Sequence, residues 1–129
     1  MAIHQEIHVE ATPDAIFDIL TSSEKFAKMT GGRAASISTE VGGAATMFDG
    51  HIAARNVELR PGKRVVQAWR AKDWPDGVYS IVRFELSAEG DGARLVFDQV
   101  GHPDEAQARL ESGWIKMYWE PMKAMVAAA

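Results

Sequence analysis

The sequence predicts an α+β domain: a seven-stranded curved antiparallel sheet, two short helices after the first strand, and a long C-terminal helix packed in the groove. Three observations carry this. Residues 3–9 alternate apolar and polar, turn chemistry recurs at strand-length intervals from residue 33, and apolar spacing of three and four returns after residue 103.

In the first segment Ile3, Ile7 and Val9 alternate with His4, His8 and Glu10, the period of a half-buried strand. Thr12 then stands as an N-cap, with Pro13 at the first helical position and Asp14 near the positive end of the dipole. Ile16, Phe17 and Leu20 form the buried stripe of that helix. A second helix starts at Ser22 or Ser23, buries Phe26 and Met29, and stops at Gly31-Gly32.

Gly42-Gly43, Arg60-Pro61-Gly62-Lys63, Asp73-Trp74-Pro75-Asp76-Gly77 and Gly90-Asp91-Gly92 are turn sequences. Between them lie strands expected at 33–39, 45–51, 52–59, 63–71, 78–87 and 93–100. Short connections imply antiparallel neighbours. In the tail, 103–127, Trp114, Met117, Tyr118, Met122 and Met125 recur at helical spacing, and Ile115, Trp119 and Val126 widen the face. Pro121 removes one backbone donor and is expected to kink this helix.

Composition bounds the function. The length of 129 residues suits a single domain over 1–129 with a proper core. No cysteine is present, which removes disulfides, thiolate nucleophiles and thiolate zinc sites and fits a reducing, cytoplasmic compartment. No apolar run approaches the roughly 18 residues of a membrane span, and the N-terminus has no secretory pattern. A soluble protein is expected. The net charge is −4 and Lys and Arg are scattered, without the basic stripe that meets phosphates, so no nucleic-acid partner is expected.

Strand alternation selects the inward side chains. Val65, Gln67, Trp69 and Ala71 share one face, Ser80, Val82, Phe84 and Leu86 the matching face, and Leu95, Phe97 and Gln99 the third. The turns set Trp69 opposite Ser80 and align Gln67, Val82 and Gln99 in a row. A few polar groups on an apolar face are what a ligand cavity offers; buried amides that satisfy one another are the alternative. Trp114, Met117 and Tyr118 look down on the row from the last helix, as core or as cavity wall.

Metal and nucleophile chemistry find little support. On a strand, His4 and His8 stand about 13 Å apart, too far to share an ion, and His51 and His102 have no carboxylate at ligand spacing. Ser112 lacks a nucleophile elbow, and no glycine pattern cradles a phosphate or dinucleotide. No cofactor is expected. His102 is the one candidate general acid or base, read otherwise as a solvated loop residue. Arg70, Arg83, Glu85 and Arg94 read as cross-strand charges on the solvent face.

The stretch FDGHIAARNVELRPGKRVVQAWRAKDWPDGVYS (48–80) resembles the central segment of the family named for the activator of heat-shock protein 90 ATPase. FDQVGHP (97–103) and SGWIKMYWEPMK (112–123) resemble its ending, with Gly113-Trp114 and Tyr118-Trp119 matching the family's helix motif. ATPDAIFDILTSSEKFAKMTGG (11–32) extends the likeness over nearly the whole chain. His102 departs from it, standing where relatives carry a small aliphatic residue. The resemblance implies the START-like helix-grip fold of the SRPBCC superfamily. That superfamily includes lipid and hormone binders and polyketide cyclases; the eukaryotic co-chaperone of the family carries a further N-terminal domain.

Three functions follow as expectations. The first is a non-enzymatic domain binding an apolar or aromatic small molecule between sheet and helix, through Gln67, Trp69, Ser80, Phe97, Gln99, Trp114, Met117 and Tyr118. The second is a module that binds a chaperone ATPase. The third, implied by the superfamily alone, is a cyclase- or dehydratase-like enzyme using His102. Exposed strand edges also offer a route to a homodimer.

Overall fold

The computed structural model describes residues 1–128; Ala129, the last residue of the expected domain, lies outside them. The chain opens with β1 (Ala2–Val9), α1 (Pro13–Thr21) and α2 (Ser23–Met29). Six strands follow: β2 (Ser36–Ile37), β3 (Ala44–Met47), β4 (Ile52–Arg60), β5 (Arg64–Ala71), β6 (Ser80–Glu89) and β7 (Gly92–Val100). All seven form one curved antiparallel sheet in the order β1-β7-β6-β5-β4-β3-β2, so β1 and β2 are its edges.

Local chemistry sets the helix starts. The Thr12 side chain accepts from the Ala15 N–H at 3.1 Å, and Ser22 caps the next helix by accepting from Lys25 at 3.2 Å. Ser23 fastens that helix to the sheet, since its hydroxyl accepts from the Ile37 N–H at 2.8 Å.

After a short 3-10 turn (Asp104–Ala106), α3 (Gln107–Trp114), a π turn (Ile115–Trp119) and α4 (Glu120–Ala128) follow without a break. The expected kink at Pro121 takes a different form. One turn before the proline the ladder widens, and the Glu120 N–H donates to the Ile115 carbonyl. A widened turn of this kind accommodates a residue that has no N–H of its own to donate.

Two expected strands are shorter than their segments. Only Ser36–Ile37 of 33–39 pairs. The segment 45–51 stops at Met47, because Phe48, Asp49 and Gly50 all adopt positive φ, 55°, 58° and 88°, and turn the chain into β4. Asp49 holds this turn: its carboxylate accepts from the Ala34 N–H at 2.7 Å, and its own N–H donates to the Ala34 carbonyl at 3.0 Å. A β-bulge between Asn56 and Glu58 bends β4.

The core fills the space between the inner sheet face and the helices. Phe26, Phe84, Phe97, Ile16, Leu95 and Met122 are essentially inaccessible, each contributing roughly 1.5–3 kcal/mol by burial. Trp114 lies at the centre, its rings 4.2 Å from Phe97, 4.4 Å from Tyr118 and 5.1 Å from Trp69, centroid to centroid.

Candidate functional site

The register places the expected inward row as the turns imply: Trp69 faces Ser80, and Gln67, Val82 and Gln99 align across β5, β6 and β7. The row continues to Asn56 on β4 and Ile3 on β1. Its polar members are engaged within the protein. Trp114 Nε1–H donates to Gln99 Oε1 at 2.8 Å, Gln99 Nε2 donates to Ser80 Oγ at 3.0 Å, and the Ser80 hydroxyl donates to the Trp69 carbonyl at 2.8 Å. Gln67 donates to Asn56 Oδ1 at 3.3 Å, while Asn56 Nδ2 donates to the Ser38 and Glu40 carbonyls. A further pair lies outside the expected site residues, although Gln5 shares the strand face of Ile3 and Ile7 and Trp119 belongs to the helix motif: Trp119 Nε1–H donates to Gln5 Oε1 at 2.6 Å, and Gln5 Nε2 to the Glu111 carbonyl.

A half-open pocket of about 240 Å³ lies at one end of the aromatic core. Trp69, Trp74, Trp114, Tyr118 and Phe48 form its walls with Ile52, and Gly113 and Met117 of the last helix border it. Of the eight expected lining residues, Trp69, Trp114, Met117 and Tyr118 are on this wall. Gln67, Ser80, Phe97 and Gln99 are not; they sit deeper, packed or hydrogen-bonded to their neighbours. Met117 is 40% exposed and stands at the mouth rather than over the row.

Polar groups at this pocket come from distant segments. Arg33 and Arg109 reach it with His51 and Asp73. Arg109 lies 3.7 Å from Asp73, and Arg33 donates to Asp49 at 3.3 Å with its guanidinium 5.2 Å above the Phe48 ring. Deeper in, the Trp69 indole N–H lies toward the Tyr118 hydroxyl without reaching hydrogen-bond geometry, and it is buried without a partner. Burial pushes the Tyr118 hydroxyl well above its ordinary pKa, against a smaller opposing pull from Trp69, so Tyr118 is a neutral phenol at physiological pH.

Two expectations for surface residues are corrected. His102 is buried, not solvated: its Nε2 meets Gln107 Oε1, Gln107 Nε2 donates to the Ala2 carbonyl at 3.1 Å, and Nδ1 has no partner. This arrangement ties the start of α3 to β1, and His102 is absent from the pocket wall. Arg70 is more than a cross-strand charge. It donates to the carbonyls of Trp74, Pro75 and Val78 at 2.9–3.0 Å and so braces the turn that carries Trp74. Arg83 does pair across strands, with Asp98 at 2.9 Å. Among the described residues no group of three or more His, Asp or Glu side chains is placed to hold a metal, and no helix is long and apolar enough to cross a membrane.

The outer face of the sheet has one apolar row. Ala2, Val100, Ile81 and Ala68 are successive cross-strand partners on β1, β7, β6 and β5. Ile81 is 43% exposed and Val100 49%, and nearby in sequence Tyr79 is 51% exposed beneath the Arg70 guanidinium. The next row on that face, His4–Asp98–Arg83–Val66, holds Asp98 between His4 at 2.7 Å and Arg83 at 2.9 Å.

A family model described as Activator of Hsp90 ATPase homolog 1-like protein matches residues 10–127. Activator of 90 kDa heat shock protein ATPase homolog 2 of Mus musculus is 27% identical over 129 residues, 98% of this chain and 38% of that protein. Homolog 1 of Homo sapiens is 26% identical over 112 residues, 87% of this chain and 33% of that protein. The chain thus spans little more than a third of these relatives. Among solved structures, an HSP90 activator from Plasmodium falciparum superposes with a TM-score of 0.93 at 20% identity, covering 98% of this chain and 96% of that one. An Aha1 dimer from Colwellia psychrerythraea gives 0.81 at 20% identity, covering 96% and 95%. These two likenesses show the fold.

Proposed function

The chain belongs to the family of activator of Hsp90 ATPase homolog 1-like proteins, and from that premise we propose that it binds a chaperone ATPase of the 90 kDa heat-shock class and raises its turnover. The observation that carries this reading is the exposed row Val100–Ile81–Ala68 with Tyr79 beside it. Ile81 and Val100 are exposed and adjacent there, with the half-buried Ala68 beside them and Asp98 and Arg83 in the next row, and adjacent large apolar side chains of this kind are the surface a protein partner covers. The interior supports it from the other side, because the amides expected to greet a ligand are spent on Trp114, Ser80 and Asn56. The HSP90 activator from Plasmodium falciparum, covered to 96% by this chain, is consistent with the reading. A cytoplasmic location goes with this partner and suits a chain without cysteine.

Binding of the purified chaperone to the chain, measured by calorimetry, tests the reading. Wild type is expected to bind and Ile81→Glu/Val100→Glu to lose binding while folding normally. Equal binding by both would remove the surface from the account. Sedimentation of the free chain checks whether a second copy covers the same row, as a homodimer would require.

A second reading rests on the half-open pocket: a small aromatic molecule packs against the wall formed by Trp69, Trp74 and Trp114. Its support is the buried, unpartnered Trp69 N–H beside that space, since such groups are rare in native interiors. The volume of about 240 Å³ is below the roughly 300–1,000 Å³ of ordinary drug-sized sites, which favours a ligand of one or two rings. The cyclase-like alternative has lost its base from this pocket, as His102 lies outside the wall.

A further inference from the structure

Gly113 is a costly residue in its place. It sits inside α3, where glycine is about 0.8–1.0 kcal/mol worse than alanine, and its φ is not one that requires glycine. Packing does not require it either, because a Cβ built there would meet nothing within 4 Å. The open space beside Gly113 borders the aromatic pocket. A glycine that neither backbone nor packing requires keeps the pocket wall clear at that point.

The rim has a sign of its own. The whole chain carries −4, yet the charged side chains that line the pocket are Arg33, Arg109 and Asp73, with His51 beside them. Asp73 is shared with Arg109 at 3.7 Å, an exposed pair that a stronger acceptor can displace. Arg33 is held over Phe48 by Asp49, which is outside the lining. Flat ring walls inside and guanidinium groups at the mouth make opposite demands on the two ends of one ligand.

We propose that this pocket binds a one- or two-ring aromatic carboxylate, its ring against the wall of Trp69, Trp74 and Trp114 and its carboxylate at Arg109 and Arg33. The inference rests on the second reading above and adds the ligand's charge and size. Ring stacking supplies the attraction common to all flat ligands. The guanidinium groups select the anion, since a carboxylate matches their fork of donors.

The test uses 2-naphthoate and its neutral isostere 2-naphthamide, titrated calorimetrically into the full chain, wild type, Arg109→Gln and Gly113→Leu. Naphthoate is expected to bind wild type at least about fivefold more tightly than naphthamide, and Arg109→Gln to lose about fivefold for naphthoate alone, the scale of an exposed ion pair. Gly113→Leu is expected to lose both ligands while its unfolding midpoint holds or rises, because leucine is the better helix former. Equal affinity for the two ligands, unchanged in Arg109→Gln but lost in Gly113→Leu, overturns the carboxylate assignment and leaves the aromatic pocket standing. Binding that survives Gly113→Leu places the site elsewhere, and no binding of either ligand to wild type overturns the pocket reading itself.

Discussion

Trp114 Nε1–H donates to Gln99 Oε1 at 2.8 Å, and both residues are buried to 2% exposure or less. An amide that the strand pattern points at a ligand instead fixes the orientation of the central indole. Through Ser80 the same amide reaches the Trp69 backbone, so two of the three pocket tryptophans hang on one side chain. Gln99→Leu leaves the Trp114 N–H buried without an acceptor. It is expected to cost about 1–3 kcal/mol in urea unfolding and to flatten the near-ultraviolet dichroism of the tryptophans. A loss below about 0.5 kcal/mol would mean that the indole is held by packing alone.

The turn carrying Trp74 depends on Arg70, whose guanidinium meets three carbonyls at once. Lysine keeps the charge but not the planar fork. Arg70→Lys should therefore speed hydrogen exchange at the Trp74 and Val78 amides, both closed by turn hydrogen bonds, while leaving exchange in β6 and β7 unchanged. Unaltered exchange at those two amides would show that the turn stands without its brace.

At Asp49, φ is 58°. Aspartate and asparagine tolerate that region and a β-branched residue does not. Asp49→Val is expected to lose about 2 kcal/mol or more, combining backbone strain with the lost bond to the Ala34 N–H. Asp49→Asn should lose less than half as much, and chemical denaturation of the two variants distinguishes strain from charge.

His8 is bracketed by carboxylates, with Glu89 at 2.7 Å on Nδ1 and Glu10 at 2.7 Å on Nε2. The hydrogen bond to Glu89, then that to Glu10, raises its pKa above 6.5 in the folded chain. A raised folded value means that the contribution is fully present below the unfolded pKa near 6.5 and fades as pH climbs through the folded one. The imidazole resonances should titrate with a midpoint above 6.5, and Glu89→Gln should lower it. A midpoint indifferent to Glu89 contradicts the pairing.

The sheet register was legible because its turns were. Pro61-Gly62 and Gly90-Asp91-Gly92 announce hairpins, and once they are placed, counting residues aligns Gln67 with Val82 and Gln99. Phe48-Asp49-Gly50 hid its turn, since a phenylalanine at positive φ is not a turn residue by type. The likeness of the chain to the activator family covers the same turns and the final helix, and residues 10–127 do match its model.

Site chemistry was less legible than the fold. Alternation says which side of a strand a glutamine occupies and nothing about what meets it there. Gln99 finds Trp114, Gln67 finds Asn56 at a bulge, and Gln5 finds Trp119. The pocket's polar groups come from Arg33 between α2 and β2, His51 and Asp73 in turns and Arg109 on α3, residues with no common period to betray them. His102 reads as solvated because it follows a strand end, but Gln107, five residues on at the start of α3, closes over it.

The most direct test is the ATPase rate of a purified 90 kDa heat-shock-class chaperone titrated with this chain. A saturable rise is expected with wild type and no rise with Ile81→Glu/Val100→Glu at the same concentrations. A rate that stays flat with wild type up to high micromolar concentrations would contradict the proposed function.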